Sequence, residues 1–152
     1  MTEKLYYSQP QLRRFSARVL RCTPAGGNWE LLLDKTAFFP GGGGQAPDAG
    51  CLAGLPLLGL REEGHDILHL LPAPFPEGAE LLGELDWALR FGRMQLHSGE
   101  HIVSGLAHSL HGCENVGFHM SADSVTMDFD RELTALNEDP QVHGILMFRP
   151  LP

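Results

Sequence analysis

The sequence predicts an α+β fold: a small β-barrel over residues 1 to 88 and a partial helix-and-sheet subdomain over residues 89 to 152. Three observations predict it. Short apolar stretches punctuated by glycine and proline fill the first part. A proline-free segment with helical periodicity runs from Arg90 to His111 and meets Gly112, a suitable C-terminal glycine. Beyond it, Val125, Met127 and Phe129 alternate with Thr126, Asp128 and Asp130, as in a half-buried strand.

Taken in order, Phe15 to Cys22 alternates in part, and Pro24-Ala25-Gly26-Gly27-Asn28 marks a turn before the apolar run Trp29 to Leu33. That pattern is a hairpin. Further apolar stretches at Cys51–Leu60, Ile67–Leu71 and Leu81–Trp87 supply the remaining barrel strands. On the helix, Gln95, Gly99, Ile102, Val103, Leu106 and Leu110 fall on one side at about 100° per residue and are expected to pack inward. His97, His101, His108 and His111, with Ser104 among them, share an arc of about 80° on another side. A second strand is expected over Val142–Phe148.

A chain of 152 residues buries a core without metal or disulfide staples. Cys22, Cys51 and Cys113 form no paired framework, which suits a reduced, cytoplasmic setting. No window approaches a membrane span, and the N-terminal residues lack an apolar leader, so secretion and membrane insertion are not expected. A net charge of -8 excludes a general nucleic-acid binder, because the phosphate backbone rewards positive surfaces. Any such contact is local, and Arg13, Arg14, Arg18 and Arg21 form the candidate phosphate-facing edge; a solvated strand face is the alternative.

The segment carrying the most chemistry is His97-Ser98-Gly99-Glu100-His101. Residues four apart stack on one helical face, so both imidazoles can reach one zinc ion at about 2.0–2.1 Å. Zinc requires three or four ligands, so the pair is half a site. Two surface histidines of coincident spacing are the alternative. The same residues spell H-x-x-E-H, the inverted metallopeptidase motif, although Glu100 lies about 100° from His101 around the helix. A second feature is Gly41-Gly42-Gly43-Gly44-Gln45, a backbone freed of side chains beside an amide that can meet a ligand. It lacks the Gly-Lys-Ser/Thr of a phosphate loop; a flexible turn is the alternative.

Together the two segments carry a resemblance. Leu33–Pro40 with Gly43-Gly44-Gln45, Asp48 and Gly50 resembles the glycine-rich motif of alanyl-tRNA synthetase editing domains and their free-standing relatives, and Arg93–His101 resembles their H-x-x-x-H helix. Gly117-Phe118-His119-Met120 and the Val125–Asp130 segment are similar to the family's residues downstream of that helix. The resemblance implies a translation-protein-like barrel and a helix-and-sheet domain of the type shared with threonyl-tRNA synthetases. It also implies zinc on His97 and His101, and recognition of the substrate by Gly42, Gly43, Gly44 and Gln45. The implied activity is a zinc-dependent deacylase acting at the acceptor end of alanine tRNA mischarged with serine or glycine.

One departure stands out. Family members carry a downstream C-x-x-x-H that completes the zinc shell, and no cysteine here has a histidine four residues on. The expectation is therefore a C-terminally truncated or internally deleted relative, with weak or absent activity and an exposed apolar face hidden by homodimerisation. Cys113, His119 and His143 are the possible substitute ligands. A non-catalytic binding or assembly module and a metallopeptidase are the alternatives in function.

Overall fold

The computed structural model describes residues 1–121 and 124–130, and the chain divides into two compact units. The first comprises Met1–Gly42 and Ala46–Arg90; the second comprises Gly43–Gln45 and the residues from Phe91 onward. The expected Val142–Phe148 strand lies outside the described residues.

In the first unit, β1 (Glu3–Lys4) pairs in parallel with β4 (Lys35–Thr36), and one helical turn, α1 (Leu5–Ser8), follows β1. The remaining strands are β2 (Arg14–Ala25), β3 (Asn28–Leu33), β5 (Gly50–Leu52), β6 (Leu55–Pro56), β7 (Gly59–Glu63), β8 (Asp66–Leu71) and β9 (Glu80–Leu85). They form one seven-stranded sheet in the order β6-β5-β9-β2-β3-β8-β7. The sheet is curled but open, a half-barrel with β6 and β7 as edges, where the sequence suggests a closed barrel. Shortness limits closure: β6 has two residues and can pair with one neighbour only over Cys51–Leu52.

Alternation along β2 explains the core. Phe15, Ala17 and Val19 point inward to meet Leu31, Leu33, Phe38, Leu52, Leu71 and Leu81, while Arg14, Ser16 and Arg18 face water. Phe15 and Phe38 meet edge to face, with ring centroids 5.4 Å apart. The β2–β3 hairpin turns on Gly26 and Gly27, both at positive φ, so the strands extend further toward each other than the alternation alone suggests. The apolar run from Cys51 to Leu60 is not one strand but is folded back at Ala53-Gly54, where φ is 51° and 77°.

The long helix α2 spans Trp87–His111, three residues earlier than its periodicity suggests, because Asp86 caps it through a 3.1 Å bond from the Leu89 amide. Gly112, at φ 63°, ends it as expected. In the second unit β10 (Asn115–Met120) pairs antiparallel with β11 (Val125–Phe129), with a register shift between Asn115 and Gly117. β11 alternates in burial as its sequence predicts. The helix, however, is rotated from expectation. Its buried positions are Arg90, Arg93, Leu96 and Glu100, whereas Ile102, Leu106 and Leu110 are 60%, 54% and 71% exposed. Polar contacts set this orientation: Ser104 and Glu100 meet Asn115, and Ser104 Oγ lies 3.9 Å from Met127 Sδ.

Candidate metal and substrate site

The second unit brings the histidine pair and the end of the glycine loop together. His97 and His101 lie one turn apart on α2, with ring centroids 4.7 Å apart and their Nε2 atoms facing each other at 2.9 Å. Each ring also has an oxygen at its other nitrogen. Gln45 Oε1 lies 3.2 Å from His97 Nδ1, and Glu100 Oε2 lies 3.4 Å from His101 Nδ1. An amide oxygen only accepts, so His97 Nδ1 is set to carry the proton; the Glu100 carboxylate is near His101 Nδ1 without a hydrogen bond to it.

That leaves the His97 Nε2 lone pair pointed at His101 Nε2. Only a cation or a proton between them makes the contact favourable. Two nitrogens on one tetrahedral zinc at about 2.0–2.1 Å stand about 3.3 Å apart, so a spread of a few tenths of an ångström would admit the ion. The pair therefore fits zinc as two of its ligands. Among the described residues no group of three metal-binding side chains gathers, so neither Cys113 nor His119 joins the pair. Cys113 is buried with Sγ 3.9 Å from the His111 carbonyl, and His119 is exposed on β10. His143 lies outside the described residues.

The glycine loop has two parts. Gly42 belongs to the first unit, whereas Gly43, Gly44 and Gln45 belong to the second. Gly44 is held against β10: its carbonyl accepts from the Met120 amide at 3.2 Å. Its φ is +83°, and an added Cβ would come 2.5 Å from the Phe118 carbonyl oxygen, so only glycine fits. Phe118 also presents its ring edge to His97, with centroids 6.0 Å apart. Gly43 has open space around it, and Gly42, Gly43 and Gly44 are all exposed while Gln45 is half-buried.

Two buried arrangements in the first unit fix the base of this loop. Asp48 and Arg90 form an ion pair, 1% and 6% exposed in their side chains. Asp48 Oδ2 accepts the Phe39 amide at 2.7 Å, and the Asp48 amide donates to the Phe39 carbonyl at 2.9 Å, which closes the loop on itself. Arg90 in turn donates to the carbonyls of Ala37 at 2.7 Å and Pro10 at 3.0 Å. The second arrangement is His69, fully buried, whose Nδ1–H donates to the Leu31 carbonyl at 3.3 Å. Its Nε2 then accepts from Thr36 Oγ1 at 2.8 Å, and that hydroxyl accepts the Phe38 amide at 3.1 Å. Burial holds the His69 pKa down to about 4, against its hydrogen bonds to the Leu31 and Ile67 backbone.

Sequence reasoning placed Asp48 in the glycine motif but missed its partner, and it missed His69 and Asn115 altogether. The i, i+4 spacing that exposes the histidine pair has no equivalent for residues paired across 42 positions. The arginines of the candidate edge are exposed and face carboxylates: Arg14 pairs with Glu84 at 2.8 Å, Arg18 with Glu80 at 3.0 Å and Arg21 with Glu63 at 3.9 Å. Arg13 stacks 4.6 Å over the Trp87 ring.

No family model matches the chain. Among curated proteins it is 32% identical over 140 residues to alanyl-tRNA editing protein AlaX-L of Pyrococcus horikoshii, covering 88% of this chain and 35% of that protein. It is 33% identical over 110 residues to alanyl-tRNA editing protein Aarsd1-A of Xenopus laevis, covering 72% of this chain and 27% of that protein. Alanine–tRNA ligase of Pyrobaculum neutrophilum is 39% identical over 107 residues, 67% of this chain and 12% of the ligase. The chain thus spans about a third or less of the length of these relatives.

Proposed function

From the premise that the chain belongs to the alanyl-tRNA editing family, we propose that it is an aminoacyl-tRNA editing module that hydrolyses the ester of alanine tRNA mischarged with serine or glycine. The observation that carries the reading is the convergence of the two Nε2 atoms beside Gln45. His97 and His101 would hold zinc, which when bound supplies a Lewis acid for the ester or its attacking water.

The chain's own residues supply orientation. Gln45 fixes His97 in the tautomer that turns Nε2 toward the shared point, and Gly44 keeps the loop backbone within reach of Phe118 and Met120. Gly42, Gly43 and Gly44 offer bare backbone to the acceptor end, and the Gln45 amide offers a hydrogen-bonding group to the misplaced side chain. Holding a labile ester beside a positioned water supplies much of such a reaction. Selectivity at a second site is what a small or near-isosteric amino acid requires, since one binding pocket rejects it weakly.

A cytoplasmic setting suits the three free cysteines, and no helix among the described residues is long and apolar enough to cross a membrane. The exposed row Ile102, Leu106 and Leu110 supports a two-fold homodimer that buries it; sedimentation as a strict monomer at high concentration contradicts that part. The metallopeptidase and non-catalytic readings gain nothing from the relatives, whose names are those of editing proteins and tRNA ligases. The test is release of amino acid from alanine tRNA charged with serine, beside the same tRNA charged with alanine. Faster loss of serine is expected, and equal loss of both would overturn the reading.

A further inference from the structure

We infer that Arg13, carried on the ring of Trp87, is where the first unit grips an RNA phosphate, and that the turn Gln9–Leu12 just before it receives the adjoining nucleotide. The four arginines of the candidate edge are not equivalent. Arg14, Arg18 and Arg21 face Glu84, Glu80 and Glu63, so a phosphate approaching any of them meets a carboxylate that already holds the donors. Arg13 is exposed, no carboxylate faces it among the described residues, and its guanidinium carbon lies 4.6 Å from the centroid of the Trp87 ring.

Stacking decides what this guanidinium can do. One face is occupied by the indole, which orients the plane and leaves the edge N–H donors and the opposite face available. The edge fits a phosphate in a two-pronged contact, and the open face fits a base. On a chain of net charge -8, a cation without an acidic partner is the place where a polyanion is held locally.

The preceding turn suits a nucleotide next to that phosphate. Gln9, Pro10, Gln11 and Leu12 line an open hollow of about 390 Å³. The Leu12 amide closes the turn on the Gln9 carbonyl at 3.0 Å, and buried Arg90 donates to the Pro10 carbonyl at 3.0 Å. Pro10 and Leu12 offer apolar surface to a ring. The side-chain amides of Gln9 and Gln11, which have no hydrogen-bond partner among the described residues, offer donors and acceptors to its edge. Arg90 also donates to the Ala37 carbonyl, so the turn and the start of the glycine segment hang on one side chain. A phosphodiester strand supplies both partners at once, a phosphate for Arg13 and a base for the hollow; taking that strand to be alanine tRNA rests on the editing reading above.

The test is binding of a hairpin RNA with the acceptor stem and single-stranded 3′ end of alanine tRNA, followed by fluorescence anisotropy over a range of salt. Arg13→Gln is expected to weaken binding about tenfold and to lower the slope of log affinity against log salt by about 0.7–0.9. Arg18→Gln removes the same charge from a paired position and should weaken binding by no more than about twofold. Arg13→Lys should keep the slope but recover only part of the affinity, since an ammonium keeps the charge without the planar stack. Equal weakening by Arg13→Gln and Arg18→Gln, full affinity in Arg13→Lys, or no RNA bound by the native chain overturns the inference. Arg13-dependent binding with no serine released from the mischarged tRNA would uphold it and overturn the editing reading instead; serine release with binding indifferent to Arg13 does the reverse.

Discussion

Replacing Asp48 by alanine is expected to be among the most damaging single changes to the first unit. The carboxylate accepts from Arg90 Nε at 2.9 and 3.0 Å, from Arg90 Nη2, and from the Phe39 amide at 2.7 Å. Without it the guanidinium stays buried with only the Pro10 and Ala37 carbonyls as neutral partners, and the Phe39 N–H loses its acceptor. Breaking one side of a buried pair costs about 3–5 kcal/mol, and the orphaned amide belongs to the same rearrangement. A loss of about 4 kcal/mol is a large part of the roughly 5–15 kcal/mol that holds a domain together. At about 2–4 °C per kcal/mol for a chain of this size, the midpoint should fall by about 8–16 °C. Urea titration and calorimetry measure both, with Arg18→Ala as the control, since its pair with Glu80 is exposed and should cost no more than about 1 kcal/mol. A loss below about 1 kcal/mol for Asp48→Ala would refute the claim that this pair closes the loop.

His69 and the glycine loop give two further expectations. His69, with its pKa held down to about 4 when folded, takes no proton in the native state while the unfolded chain does so near 6.5. Its contribution is therefore intact above pH 6.5 and is lost as pH falls toward 4, by about 1.4 kcal/mol per pH unit and roughly 3 kcal/mol in all. The stability difference between the native chain and His69→Gln, followed from pH 7.5 to 4, should shrink by about that amount; a constant difference contradicts the assignment. Gly44→Ala and Gly43→Ala share the positive-φ cost of roughly 1–2 kcal/mol, but only Gly44→Ala drives a Cβ against Phe118. Urea titration should find Gly44→Ala the costlier by at least about 1 kcal/mol, and equal costs would show that β10 does not confine the loop.

Legibility of the sequence tracks the range of the interaction. Alternation along Phe15-Ala17-Val19 and along Val125-Met127-Phe129 is local and marks strands correctly. The turn at Ala53-Gly54 sits inside an apolar stretch that gives no sign of folding back, so hydropathy marks one strand where three short ones form. The rotation of α2 is not legible, because periodicity ranks apolar residues for burial. Arg93 and Glu100 are buried while Ile102 and Leu110 are exposed. The histidine pair is legible since helical geometry alone unites it. Its hydrogen bond to Gln45, and the roles of Asn115, Asp48 and His69, depend on contacts between distant segments that spacing does not encode.

Zinc dependence of serine release tests the central claim most directly. Seryl alanine tRNA is incubated with the metal-stripped chain while zinc is titrated in, beside His97→Ala and His101→Ala under the same conditions. Slow release that rises with zinc and falls to the spontaneous rate in both variants is the expected result. Release that resists a chelator and survives both substitutions, or that never exceeds the spontaneous rate at any zinc concentration, would contradict the account.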